Sequence, residues 1–305
     1  MPKIFPPNEI AGILPPLITP LAEDESIDVA ALRQAARFML RQGVHGLVVG
    51  GSSGEGFNLR TDELRRLTAT VAEEMDDTRP LIAGVIANST RDAIENAKAV
   101  ADLGVSALQL TPVHYIYKTD EEEMIRHFRE VYDAAGIPII VYNVVPWNYI
   151  NPKLLQRMMR EEPGIIGVKQ SAGDLKMLAD LLNDEEPGQR IYAAIDALLY
   201  PSMALGAHGI ISMLASAAPK ACLEMWHAVQ RGDHRRALAL HRKMLRLWNA
   251  IFADNRIATA KYALALQGVP VGVCRRPTPP ATPAQQAAIR AAIEALQEEP
   301  TLAVA

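Results

Sequence analysis

Cysteine is nearly absent from this chain: among 305 residues there are two, Cys222 and Cys274. Two thiols cannot build a disulfide framework, and these two have no metal-ligand spacing, which suits a reducing compartment. Aromatic residues are scarce as well, at 5%, so the core has to be made of Ala, Val, Ile and Leu. There is no excess of charge of one sign. A net charge of −4 gives no basic stripe for nucleic acid and no polybasic face for an anionic membrane. No segment approaches the ~20 uninterrupted apolar residues of a membrane span. The opening MPKIFPPNEI contains no apolar signal-peptide core. Neither HxH, HExxH nor a carboxylate–histidine cluster stands at a strand end, and no GxGxxG follows the first strand-like run, so neither a metal nor a dinucleotide is expected. What remains is an enzyme-sized, soluble, cytoplasmic protein with no nucleic-acid or membrane partner.

Short apolar runs alternate along the chain with longer amphipathic ones. Eight runs read as strands: Gly12–Thr19, Gly46–Gly51, Pro80–Ala87, Ser106–Pro112, Ile137–Asn143, Gly164–Lys169, Arg190–Asp196 and Ala207–Ser212. Each leads into a helical pattern. Val29, Leu32, Ala36 and Met39 recur at helical spacing after the first run, and Leu64, Leu67 and Val71 after the second. Thr119 and Glu122 have capping-box spacing, and Asn151-Pro152 reads as an N-cap followed by proline in the first turn. Strands this apolar are buried on both faces, as parallel strands are. Eight such units predict a closed (β/α)8 barrel over residues 1–231, with an open doubly wound sheet as the weaker alternative. From about Gly232 only helical patterns follow: Arg235–Phe252, Arg256–Gln267 and Pro283–Gln297. Residues 232–305 are therefore expected to form a helical extension packed on the barrel.

Barrel enzymes place their chemistry at the C-terminal ends of the strands. The polar side chains there are Ser52, Ser53, Glu55, His114, Tyr115, Tyr142, Lys169, Ser171, Asp196 and Ser212. Lys169 is the most informative. A lysine withdrawn from water at the mouth of a barrel loses charge, because desolvation penalises the ammonium. A neutral amine can then condense with a ketone or aldehyde to give an imine. The plainer alternative is a lysine whose head snorkels out to solvent. Tyr142 ends the preceding strand and could move protons in the same cavity, or it could be a satisfied core tyrosine. GSSGEG, Gly51–Gly56, offers hydroxyls and backbone N–H groups to a carboxylate but lacks the P-loop pattern.

The segments GGSSGEGFNL, TPVHY, VYN, GVKQSAGDL and ALGAHGIIS, in this order, resemble the N-acetylneuraminate lyase / dihydrodipicolinate synthase family. These are pyruvate-dependent class I aldolases on a (β/α)8 barrel with a C-terminal helical extension. The resemblance runs from about Gly12 to Cys274. It implies that Lys169 is the imine-forming lysine and Tyr142 the proton-transferring tyrosine. Ser52 and Ser53 would bind the 2-oxo-acid carboxylate, with Ser52 also relaying protons to Tyr142. Glu55 would brace that loop, and the carbonyl of Ile211 would lie near the bound 2-oxo acid. Ser171 and Asp196 fall at strand ends around the same site. The family's relay tyrosine from a neighbouring subunit falls on His114 or Tyr115, and Tyr115 is favoured. A homotetramer built from tight dimers is implied, acting on a 2-oxo acid and an aldehyde without cofactor or metal.

Departures from the family pattern bear on the second substrate. Dihydrodipicolinate synthases carry an arginine shortly after the Tyr-Asn pair, whereas this chain reads YNVVPWNYINP, with Trp147 and Asn148 in that loop. An asparagine cannot replace a bidentate cationic fork. Sialic acid lyases follow their seventh strand with Asp-Glu, whereas Asp196 here precedes Ala197. Trp147 then gives an aromatic wall to the second-substrate pocket, or else packs on a neighbouring subunit. The expectation is a Schiff-base aldolase or lyase acting on pyruvate or a pyruvate-yielding acid. A dehydratase of a 2-oxo-3-deoxy sugar acid, or a catalytically silent 2-oxo-acid-binding relative, are the rivals.

Overall fold

A computed structural model of the chain describes residues 2–113 and 115–298. Eight parallel strands, β1 (Gly12–Ile13), β2 (Leu47–Val49), β3 (Leu81–Val85), β4 (Ala107–Leu110), β5 (Ile139–Asn143), β6 (Ile165–Gln170), β7 (Arg190–Ala193) and β8 (Gly209–Ile210), pair in the order β1-β8-β7-β6-β5-β4-β3-β2. The ring closes just beyond β1, where Pro16 bridges Val48 in parallel and Leu17 N donates to Val48 O at 2.7 Å. Seven of the strands are shorter than the apolar runs that announce them, because the run ends belong to connecting loops; β6 is as long as its run and lies one residue later.

Helices α1 (Val29–Gln42), α2 (Thr61–Ala72), α3 (Thr90–Val100), α4 (Glu121–Ala135), α5 (Pro152–Glu161), α6 (Leu175–Asn183), α7 (Leu199–Ala204) and α8 (Met213–Ala217) alternate with them. They bury their apolar stripes against the outer face of the strands, in one continuous cluster that includes Leu32, Leu67, Phe128 and Leu181. The side chains inside the barrel form a second, smaller cluster with Val48, Ile82, Ala107, Ile140, Ile166, Tyr192 and Ile211. Asn151 caps α5 by accepting from Leu154 N at 2.9 Å, as its sequence reads. The cap of α4 differs from expectation: Asp120, not Thr119, accepts from Glu123 N, at 2.8 Å. The carboxylate is the stronger acceptor at a helix N-terminus, and it shifts the start by one residue.

The chain ends in helices α9 (Pro219–Gln230), α10 (His234–Ile251), α11 (Arg256–Ala265) and α12 (Pro283–Gln297). Residues Leu240, Met244, Leu247, Ala260, Leu264 and Ile289 from them join the outer cluster. One inter-element tie matters for the site. Lys261 of α11, 2% exposed, holds the buried Glu55 carboxylate at 2.8 Å. Among the described residues no helix is long and apolar enough to cross a membrane.

Candidate active site

The turn after β2 is the first wall of the site. Gly50 has φ +65°, and the chain then folds so tightly that a Cβ on Gly56 would lie 1.8 Å from Gly50 O. Only glycine fits there. Ser52 to Gly54 make a single 3-10 turn, and Glu55 follows it in the left-handed region at φ 60°. That unusual backbone is held from outside. Glu55 accepts from Lys261 Nζ and, at 2.9 Å, from Arg275 N, while Lys261 also donates to Val273 O. The C-terminal helices thus clamp the serine turn through a buried carboxylate.

Tyr142 and Lys169 are direct partners in the β5–β6 ladder. Both are buried, at 5% and 4% exposure. Their shared inward orientation depends on an irregularity in register. Ile139 pairs with Ile165, but Ile140 pairs with Gly167. Ile166 accordingly points into the inner cluster while Val168 points to the outer one. Strict alternation from Ile166 would turn Lys169 outward; the extra residue re-aims it into the barrel. Its Nζ lies 3.7 Å from the centroid of the Tyr142 ring.

The electrostatics of this amine are unusual. No hydrogen bond or ion pair joins Lys169 Nζ to another described residue, and burial lowers its pKa from 10.5 to about 7, opposed by the charge of Asp196. That displacement corresponds to roughly 5 kcal/mol. The attraction of an aromatic face for an ammonium is about 2 kcal/mol when desolvated, too small to reverse it. Near neutral pH a substantial fraction of the amine is therefore uncharged, the form that can attack a carbonyl. Burial raises the Tyr142 phenol above its ordinary value, so it stays protonated and can donate; its hydroxyl donates to Ser52 Oγ at 3.2 Å.

Asp196 completes the ring of groups. Burial pushes its carboxyl up to about 6, opposed by hydrogen bonds from Leu214 N, at 2.6 Å, and from the Ser212 hydroxyl. It anchors the start of α8 and sets the local field on Lys169 without bonding to it. Among the described residues no three His, Cys, Asp or Glu side chains gather as metal ligands.

Comparisons with known proteins place the chain in a family. Residues 9–296 match the Dihydrodipicolinate synthetase family. The chain belongs to that family. A 4-hydroxy-tetrahydrodipicolinate synthase of Symbiobacterium thermophilum is 35% identical over 91% of this chain and 95% of its own length. A crystal structure of a putative dihydrodipicolinate synthetase from Pseudomonas aeruginosa superposes with TM-score 0.89 at 28% identity, covering 94% of this chain and 100% of that one. The CdNal protein of Clostridium difficile, in complex with mannosamine, does so with TM-score 0.86 at 27% identity over 94% and 99%.

Within this dihydrodipicolinate synthase fold, the residues read from the sequence divide into two groups. Lys169, Tyr142 and Ser52 come together, with Asp196 close enough to act electrostatically. Ser53 is buried beside Ser52, and Ile211 lies fully buried in the inner cluster with its N–H given to Ala193 O at 3.0 Å. Ser171, half-buried, follows Lys169 by two residues, and its Oγ has no partner among the described residues. Asn148 is differently engaged: its amide donates to Val113 O at 2.9 Å, tying the β5 loop to the β4 loop. Trp147 is half exposed. Tyr115 is exposed together with Ile116 and Tyr117 on the loop before α4. His114 lies outside the described residues. Sequence reasoning missed Lys261 altogether. Nothing in TAKYAL marks it, and its carboxylate partner lies 206 positions away.

Proposed function

We propose that this protein is a class I aldolase or lyase in which Lys169 forms an imine with pyruvate or a pyruvate-yielding 2-oxo acid. The observation that carries the reading is the buried Lys169 amine, without an ion-pair partner among the described residues and poised near pH 7 against a phenol. Neutral Nζ attacks the C2 carbonyl, and the carbinolamine hydroxyl leaves as water after taking a proton. Tyr142 supplies that proton, with Ser52 beside it to relay. In the cleavage direction a C4 hydroxyl gives its proton to the Tyr142 phenolate. The C3–C4 bond then breaks, its electron pair passing to the imine nitrogen as an aldehyde leaves and an enamine remains. Protonation at C3 and hydrolysis release pyruvate and free the lysine. The imine itself is the electron sink, so the scheme calls for no metal or cofactor.

Ser52 and Ser53 hold the 2-oxo-acid carboxylate at the turn that Glu55 and Lys261 brace. For the second substrate, the names of the relatives favour the synthase reaction. The loop from Val144 to Asn151 favours another aldehyde, because it contains no cation for a second carboxylate. A dehydratase would start from the same imine and expel water instead of an aldehyde. The exposed run Tyr115–Tyr117 is the surface that a neighbouring subunit would cover in a tetramer.

The test is reductive trapping. Incubation with pyruvate and borohydride, followed by peptide mass spectrometry, gives an adduct confined to Lys169. A folded protein that gives no adduct is a silent relative. A panel of aldehydes and 2-oxo-3-deoxy acids, read by pyruvate consumption or release, then distinguishes synthase, lyase and dehydratase.

A further inference from the structure

Along β4, Ala107 joins the inner cluster while Leu108 and Leu110 join the outer one. Alternation therefore turns Gln109 into the barrel lumen, a polar residue on an otherwise apolar strand. Gln109 is 0% exposed, and among the described residues neither its amide nitrogen nor its amide oxygen has a hydrogen-bond partner. Burying an amide without partners is costly, and a leucine or methionine of similar size would fill the same space without that cost. The glutamine is explained if something other than the protein chain pairs with it.

Its position says what that is. An ideal Cβ on Gly51 would lie 3.5 Å from Gln109 Nε2, 3.6 Å from Pro16 Cβ and 4.0 Å from Val48 Cγ1. Val48 belongs to the inner cluster, and Gly51 immediately precedes Ser52. The side chain thus crosses the lumen from β4 to the end of β2 and ends against the inner side of the serine turn. With C2 of the substrate bonded to Lys169, its carboxylate is one bond away, held in the reading above at the Ser52–Ser53 turn.

We infer that Gln109 is a binding residue for the 2-oxo acid, its amide donating a hydrogen bond to the carboxylate held at the Ser52–Ser53 turn. The inference rests on the imine reading above and deepens it. It gives the carboxylate a neutral third donor from across the barrel. A hydrogen bond to a charged group is among the stronger ones, because the ion concentrates charge on its acceptor oxygens.

The test compares the wild type with Gln109→Leu and Gln109→Glu in the trapping assay with pyruvate. In Gln109→Leu the half-saturating pyruvate concentration rises about 10- to 100-fold, the value of one hydrogen bond to a carboxylate. The trapping rate at saturating pyruvate changes less than threefold, and the melting temperature does not fall. In Gln109→Glu a second carboxylate faces the substrate's. Its affinity relative to the wild type at the same pH improves as pH falls, because burial raises that carboxyl's pKa and its protonated form can donate. An unchanged half-saturation in Gln109→Leu overturns the inference and leaves Gln109 as lumen filling. If Gln109→Leu does not accumulate folded, a pH-independent ratio for Gln109→Glu overturns it equally. Failure of the wild type to form any adduct ends the imine reading and this inference with it; equal half-saturation ends this inference alone.

Discussion

Two lysines are buried at the mouth of this barrel, and they differ in what surrounds their nitrogen. Lys261, 2% exposed, has a carboxylate at 2.8 Å and the carbonyl of Val273. Lys169, 4% exposed, has the face of a tyrosine and, beyond contact, the charge of Asp196. Depth is the same for both; partners are not. A buried amine given a carboxylate and a carbonyl becomes a fixed joint, here between the C-terminal helices and the serine turn. A buried amine given neither gives up its proton near neutral pH, the state that the proposed imine chemistry needs.

The comparison is broken most severely by exchanging each lysine for methionine. Lys169→Met abolishes the pyruvate adduct and all turnover while the fold persists, as circular dichroism and melting report. The folded pKa of Lys169 is lowered to about 7 from 10.5, so the folded state binds fewer protons than the unfolded one between those values. Its burial cost is full below pH 7 and is relieved as pH rises towards 10.5. Lys169→Met therefore gains more in melting temperature over the wild type at pH 6 than at pH 9, and an equal gain at both would remove the desolvation argument. Tyr142→Phe keeps the lysine buried but takes away the proton donor. Steady-state kinetics should fall ~10²–10⁴-fold, the scale of general acid–base help, and a loss below about threefold assigns the proton to another group.

Lys261→Met acts on stability first. It leaves Glu55 buried with its N–H donor from Arg275 but without its cation, at a cost of about 3–5 kcal/mol. Denaturant unfolding checks this. The double change Glu55→Gln with Lys261→Met should recover a large part, whereas a single variant as stable as the wild type would mean that the pair clamps nothing. The smallest expected effect is that of Asp196→Asn. The amide oxygen can still accept from Leu214 N, but the negative charge that opposes deprotonation of Lys169 is gone. The pH at half-maximal trapping moves downward; an upward move contradicts the sign of that field.

The barrel was legible because strands buried on both faces are written as uninterrupted apolar runs, which few other folds require. The start of α5 at Asn151-Pro152 was legible because its N-cap is a local device. At α4 two acceptors, Thr119 and Asp120, stand side by side, and sequence spacing could not rank them. Lys169 was found by family resemblance and strand position, not by alternation. Counting from Ile166 places it outside the barrel, and the register shift at Ile139/Ile140 that turns it inward has no mark in the sequence. Asn148 stands in the loop after β5, where the family's arginine would fall. Its amide serves Val113 O, a contact between loops that spacing does not encode. The Glu55–Lys261 joint spans 206 positions and was invisible for that reason. Gln109 did leave a trace, as the single polar residue between Leu108 and Leu110.

The most direct measurement is the initial rate of borohydride trapping of pyruvate on Lys169, followed by peptide mass spectrometry across pH 5 to 10 at subsaturating pyruvate. A dry, unpaired amine gives a rate that climbs through a midpoint near pH 7, where its proton is lost. A midpoint near 10.5, as for a lysine in water, or an adduct on some other residue, would contradict the account.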